Sequence, residues 1–185
     1  SIYKILFEIK WIQKTVGTDI NINSASSLLF DKFYKVPKCN DLEYMAKICK
    51  IIDDENISLI LPVSEPEIRY FFHNAIESIH NIRLILVNSL SLSIGLDKFK
   101  TIAFLRDNNF PYPKTQRQNG NLDLDYPIIA KSNADSGSKS IVKIEDELDL
   151  FYTTRKFPDH ILQEFLPEDE GEFTCGLFRS SKGEI

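Results

Sequence analysis

The sequence predicts an α/β fold in two parts. Three observations carry that expectation. Short apolar runs alternate with amphipathic stretches in the first half; those runs lack an alternating polar face; and the pattern changes after Asn88. Apolar strands without period two are the mark of a parallel sheet covered on both faces, so the first half reads as a doubly wound sheet.

Taken in order, Ile5, Leu6, Ile9 and Ile12 recur at helical spacing and predict an amphipathic helix over 2–15. A short strand is expected over 16–22, and a second extended piece over 33–37, closed by Pro37. Asn40–Asp41–Leu42–Glu43 has the form of an N-cap with a glutamate three residues on, predicting a helix that runs to about Asp53. Residues 58–61 and 84–87 read as buried strands flanking a helix over 65–78. In the second half, helices are expected over 97–108 and 145–156. Strands are expected over 128–131, 141–143, 160–166 and 172–179. The segment 180–183 has turn chemistry, and Glu184–Ile185 starts as a returning strand. Both ends interrupt a secondary-structure unit, so the sequence is expected to belong to a longer chain.

The composition is that of a folded protein: 185 residues, 43% hydrophobic, 26% charged, 11% aromatic. With a net charge of −5 and no basic stripe, a nucleic-acid partner has no support, although a few lysines can hold a phosphate inside an acidic protein. No apolar run is long enough to span a bilayer, which predicts no membrane partner. Cys39, Cys49 and Cys175 are too widely spaced for a disulfide framework, and His73, His80 and His160 lack metal-ligand spacing. Together these features predict a cytoplasmic protein. Oligomeric state is unreadable, which leaves a homo-oligomer open.

Three features could carry chemistry. The first is the strand 127–131 ending on Lys131, the small polar loop 132–140, and the strand resuming at Ile141–Val142. Small residues let backbone amides close over phosphate oxygens, and the lysine neutralises their charge. The loop joins two strands and opens no helix, so it is neither a Walker loop nor a dinucleotide fingerprint; a plain surface hairpin has the same pattern. The second is Leu162–Gln163–Glu164–Phe165–Leu166 with Glu172 beyond. There, backbone groups could pair with an adenine edge and a carboxylate with ribose hydroxyls, or a buried strand could simply end in an acidic turn. The third is Lys98 at a helix start, where the helix dipole disfavours a cation unless an anion lies close.

The order of these features raises their weight. Asp97–Lys98, Pro111–Tyr112–Pro113, Tyr126 to Lys131, the Ser/Gly loop, Gln163–Glu164–Phe165 and Glu172–Phe173–Thr174 together resemble the ATP-grasp superfamily. The nearest likeness is to carbamoyl-phosphate-synthase large-subunit-like proteins and carboxylate–amine ligases. Asp19, the 33–37 segment and Ile60–Leu61–Pro62 resemble their pre-ATP-grasp domain. The resemblance implies a pre-ATP-grasp (Rossmann-like) doubly wound sheet over 1–90, lacking its first strand. It implies a partial ATP-grasp α+β unit over 91–185. Lys98 and Lys131 would hold ATP phosphates, with Ser136, Gly137 and Ser138 in the loop over them. Glu164 and the main chain of Phe165 and Leu166 would meet adenine, and Glu172 the ribose. ATP and Mg2+ would be the cofactors, a small carboxylate and an amine-type nucleophile the substrates. Catalytic and metal-binding residues would lie beyond Ile185. Two other readings stay open: a nucleotide-binding regulatory module without catalysis, and an interaction domain that has lost the pocket.

Overall fold

The computed structural model describes residues 5, 6, 8–118, 120–134, 141–167, 171, 173, 175 and 183. The chain divides into two compact units, Ser1–Leu92 and Ser93–Ile185.

In the first unit, β1 (Val16–Asp19) and β2 (Lys32–Lys35) pair in parallel, Gly17 opposite Phe33. A Cβ on Gly17 would lie 2.6 Å from the Phe30 ring and 2.7 Å from the Phe33 ring, so only glycine admits both aromatics. Helix α1 (Tyr44–Glu55) follows, then α2 (Glu65–His73). Ser64 caps α2, its Oγ accepting from Glu67 N–H at 3.4 Å, with Pro66 in the first turn where its missing N–H costs nothing. Tyr44 is 1% exposed, and its hydroxyl donates to Glu67 at 2.6 Å, tying α1 to α2. The core gathers Val36, Tyr44, Ile48, Ile51, Ile52, Phe71, Ile79 and Leu84.

Several expectations for this unit are corrected. Ile5, Leu6 and Glu8 are helical, but residues 9–15 are turn and irregular chain; Thr15 is drawn off by Asp31, whose carboxylate accepts from both its N–H and its hydroxyl. The cap expected at Asn40–Asp41 does not form. Asp41 Oδ1 instead accepts from Glu43 N–H at 2.9 Å, closing a local turn, and α1 begins at Tyr44 with no side-chain cap. The strands expected over 58–61 and 84–87 reduce to one parallel bridge, Ile60 to Leu84, with Ile85 N–H donating to Ile60 O at 2.9 Å. A hairpin of β3 (Ser78–Ile79) and β4 (Ile82–Arg83), unforeseen in the sequence, turns through His80 and Asn81 at positive φ. A cavity of about 690 Å³ is lined by β1 and the 57–61 stretch, and the parallel pair β1–β2 stands apart from the single parallel bridge of Ile60 with Leu84.

Glu55 ends α1, where the helix dipole disfavours a carboxylate. Lys14, Lys32 and Tyr34 offset this: all three donate to Glu55, Lys32 at 2.8 Å, and its side chain is only 3% exposed. These donors pull its pKa from the ordinary 4.5 down to about 2. Asn56 then closes the helix in the left-handed region, with Ile57 N–H reaching back to Ile52 O at 3.0 Å.

Helix α3 (Ser89–Gly95) crosses the boundary between the units, and α4 (Lys98–Asp107) opens the second. A four-stranded antiparallel sheet follows, in the order β5 (Thr115–Arg117), β8 (His160–Glu164), β6 (Ile128–Ser132), β7 (Val142–Ile144). Helix α5 (Glu147–Lys156), capped by Asp146, lies between β7 and β8 in sequence. Strand β5 was not expected from the sequence. The strand expected over 172–179 falls outside the described residues, except Phe173 and Cys175, which carry no regular structure.

Candidate functional site

Register decides which side chains meet in the second unit. Partners across antiparallel strands share a face. One face carries Ile128, Ala130, Ile144 and Leu162, all buried and backed by Leu122, Leu124, Tyr126, Val142 and Leu150. The pairings Thr115–Gln163–Ile129–Lys143 and Arg117–Ile161–Lys131 put a different set on the opposite face. It holds three cations and a buried amide.

Lys131 Nζ donates to Gln163 Oε1 at 2.6 Å. Gln163 is 5% exposed, and its Nε2 donates to Thr115 Oγ1 at 2.7 Å. The Thr115 hydroxyl donates in turn to Pro113 O at 2.9 Å. Lys131 is therefore held by a neutral partner. Burial, and secondly the charge of Lys98, push its pKa below the usual 10.5.

Lys98 comes to this place through Asn133. Just beyond β6, Asn133 accepts from Lys98 N–H through its carbonyl at 3.2 Å and from Phe99 N–H through Oδ1 at 2.9 Å. Asp97 caps the same helix, its Oδ1 accepting from Lys100 N–H at 2.9 Å. The strand end and the helix start are thereby clasped, and the two lysines lie within each other's electrostatic reach. Arg117 stacks over the Phe99 ring at 4.6 Å, tying α4 to β5.

Of the residues marked in the sequence, the structure brings together Lys98 and Lys131. Phe165 continues the face of Gln163, its ring 4.9 Å from Lys143 Nζ. Leu166 is exposed. Glu164 pairs with Ile128 on the other face, and its carboxylate accepts from Lys114 N–H at 2.8 Å, so it pins β5 to β8. Its side chain does not join the lysines. Ser136, Gly137, Ser138 and Glu172 lie outside the described residues. Gln163, Thr115 and Asn133 were not foreseen as site residues. The alternation of side chains along β8, counted back from Phe165, was the available signal for Gln163.

Among the described residues no three His, Cys, Asp or Glu side chains converge as a cation site. Among them, too, no helix is long and apolar enough to cross a membrane.

Comparison with known proteins agrees with this architecture. Residues 3–85 match the family described as PylC-like, N-terminal domain, and residues 96–172 the family described as ATP-grasp domain. No curated protein sequence matches the chain. Among solved structures, N5-carboxyaminoimidazole ribonucleotide synthetase from Thermus thermophilus is similar with a TM-score of 0.65 at 12% identity, over 91% of this chain and 44% of that one. The biotin carboxylase domain of Hydrogenobacter thermophilus 2-oxoglutarate carboxylase, solved with MgADP, ADP and bicarbonate, gives 0.59 at 15% identity, over 88% and 41%. L-amino acid ligase from Bacillus licheniformis gives 0.56 at 17% identity, over 74% and 33%. The chain thus spans less than half the length of each. Both of its parts are matched in the order that the sequence pattern implies: the chain carries an ATP-grasp domain over residues 96–172, behind a PylC-like N-terminal domain over residues 3–85.

Proposed function

We propose that this chain is the nucleotide-binding part of an ADP-forming carboxylate–amine ligase of the carbamoyl-phosphate-synthase-like kind. The observation that carries the reading is the clasp of Asn133 on Lys98 and Phe99, which sets Lys98 beside the half-buried Lys131 at the end of β6. Two lysines in a partly dry site suit a polyphosphate, whose negative charge relieves their mutual repulsion.

ATP would bind with its phosphates on Lys98 and Lys131 and the loop of Ser136, Gly137 and Ser138 over them. The main chain of Glu164, Phe165 and Leu166 would meet the adenine edge, Phe165 offering its ring, and Glu172 would meet the ribose. In the reaction, a substrate carboxylate oxygen attacks the γ-phosphorus, forming an acylphosphate and releasing ADP. An amine then attacks the acyl carbon, phosphate leaves, and an amide-type bond remains. Here the lysines hold charge on the transferring phosphoryl group in place. Nucleotide would be taken as its magnesium complex; the described residues supply no cation site, so no step is assigned to the metal. A cytoplasmic setting, where ATP is abundant and thiols such as Cys39 and Cys49 stay reduced, suits the reading.

Calorimetric titration of the full-length protein with ATP and magnesium, followed by an assay of ADP release across carboxylate and amine mixtures, tests it. Binding with substrate-dependent ADP release is expected. Binding without release in any mixture contradicts the ligase reading, and absence of binding contradicts both.

A further inference from the structure

We infer that Gln163 is the positioning residue for Lys131, a buried neutral acceptor that fixes the ammonium group while leaving its charge uncompensated for an anionic ligand. The inference rests on the nucleotide-binding reading of this site and deepens it.

The hydrogen bonds run one way. Lysine has only donors, so the atom of Gln163 that faces it must be the carbonyl oxygen. The amide nitrogen is then fixed toward Thr115 Oγ1, 2.7 Å away, and Thr115 spends its own proton on Pro113 O at 2.9 Å. No member of this chain of hydrogen bonds can reverse its part without leaving a buried donor or acceptor unmade. The result is an amide locked in orientation that brings no charge of its own to Lys131. A carboxylate at 163 would fill the same volume, but it would pair with Lys131 and cancel the attraction that a phosphate needs.

The charged surroundings agree. On this face β5 contributes Arg117, which lies over the Phe99 ring, and β7 contributes Lys143, which pairs with Glu145 at 2.7 Å. The start of α4 contributes Lys98, and β8 contributes the neutral Gln163. Cations therefore outnumber carboxylates around Lys131 among the described residues, and burial, with the charge of Lys98, holds its pKa below the usual 10.5.

The test compares the full chain with Gln163→Glu, Thr115→Val and Thr115→Ser, titrating ATP by calorimetry over a pH series and following the Lys131 ε-methylene by NMR without nucleotide. Gln163→Glu is expected to weaken ATP binding at neutral pH by about tenfold or more, the equivalent of one opposed charge, and to raise the Lys131 pKa. Thr115→Val is expected to weaken binding by about threefold through a loosened amide, and Thr115→Ser to restore it. Should Gln163→Glu not fold, the Thr115 pair carries the comparison. A role confined to stability would lower the melting temperature and leave the Lys131 titration where it was; that result, or unchanged ATP affinity in Gln163→Glu, overturns the inference. A wild-type chain that binds no ATP while Gln163→Glu still raises the Lys131 pKa overturns the nucleotide reading and upholds the pairing of Gln163 with Lys131.

Discussion

Asn133 holds Phe99 by a 2.9 Å hydrogen bond from the backbone N–H to its side-chain oxygen, while its own carbonyl takes the neighbouring Lys98 N–H. One residue thus satisfies two of the free donors at the start of α4 and fixes that start against the end of β6. Asn133→Ala leaves the Phe99 donor without its partner and should cost about 1–2 kcal/mol in chemical denaturation. Asn133→Asp keeps the acceptor and should recover most of that loss. Equal destabilisation by the two would contradict the clasp.

The Lys131 ammonium should be easier to deprotonate than an ordinary lysine, because burial and Lys98 both disfavour its charge. Removing the like charge in Lys98→Ala should move the Lys131 pKa back up toward 10.5, read by NMR at the ε-methylene. No movement would mean that the two lysines do not share a site.

Glu55 predicts a pH dependence of a definite sign. Its folded-state pKa, about 2, lies below its ordinary 4.5, so the folded chain holds the carboxylate ionised where the unfolded chain has protonated it. The stability it contributes is complete above about pH 4.5 and is lost as pH falls toward 2. Urea melts across that window should show wild type losing stability and Glu55→Gln, weaker at neutral pH, losing less of it. Parallel curves would exclude the Lys14–Lys32–Tyr34 network as the cause.

Gly17→Ala places a methyl group against the Phe30 and Phe33 rings, closer than carbon atoms tolerate. One of the rings, or β1 itself, must shift, at a cost of about 1–3 kcal/mol. A thermal melt indistinguishable from wild type would mean that this packing is loose.

The parts of the fold legible in the sequence were those with a local cause. The run from Ile128 to Ala130 is apolar enough to be a strand in any context, and Asp97 before Lys98 is a helix start by its own hydrogen bond. What escaped depends on partners distant in sequence. Thr115–Gln116–Arg117 is polar and three residues long, and is a strand only because β8 pairs with it. Residues 58–61 look like a buried strand, yet their pairing comes down to Ile60 with Leu84. The same holds at the site. Lys98 and Lys131 were visible as cations at element ends, whereas choosing Gln163 over Glu164 as the side chain facing Lys131 requires the register of β6 against β8.

The measurement closest to the central claim is a calorimetric ATP titration, at fixed salt, of wild type, Lys131→Ala and Lys156→Ala. Lys131 stands beside Lys98 on the cationic face, whereas Lys156 ends α5, its ammonium over the Phe157 ring at 5.3 Å. Lys131→Ala should weaken binding by about tenfold or more, as loss of a charge-assisted contact to phosphate implies, and Lys156→Ala should stay within about twofold of wild type. Equal losses in the two variants would contradict the assignment of the phosphate site to Lys131.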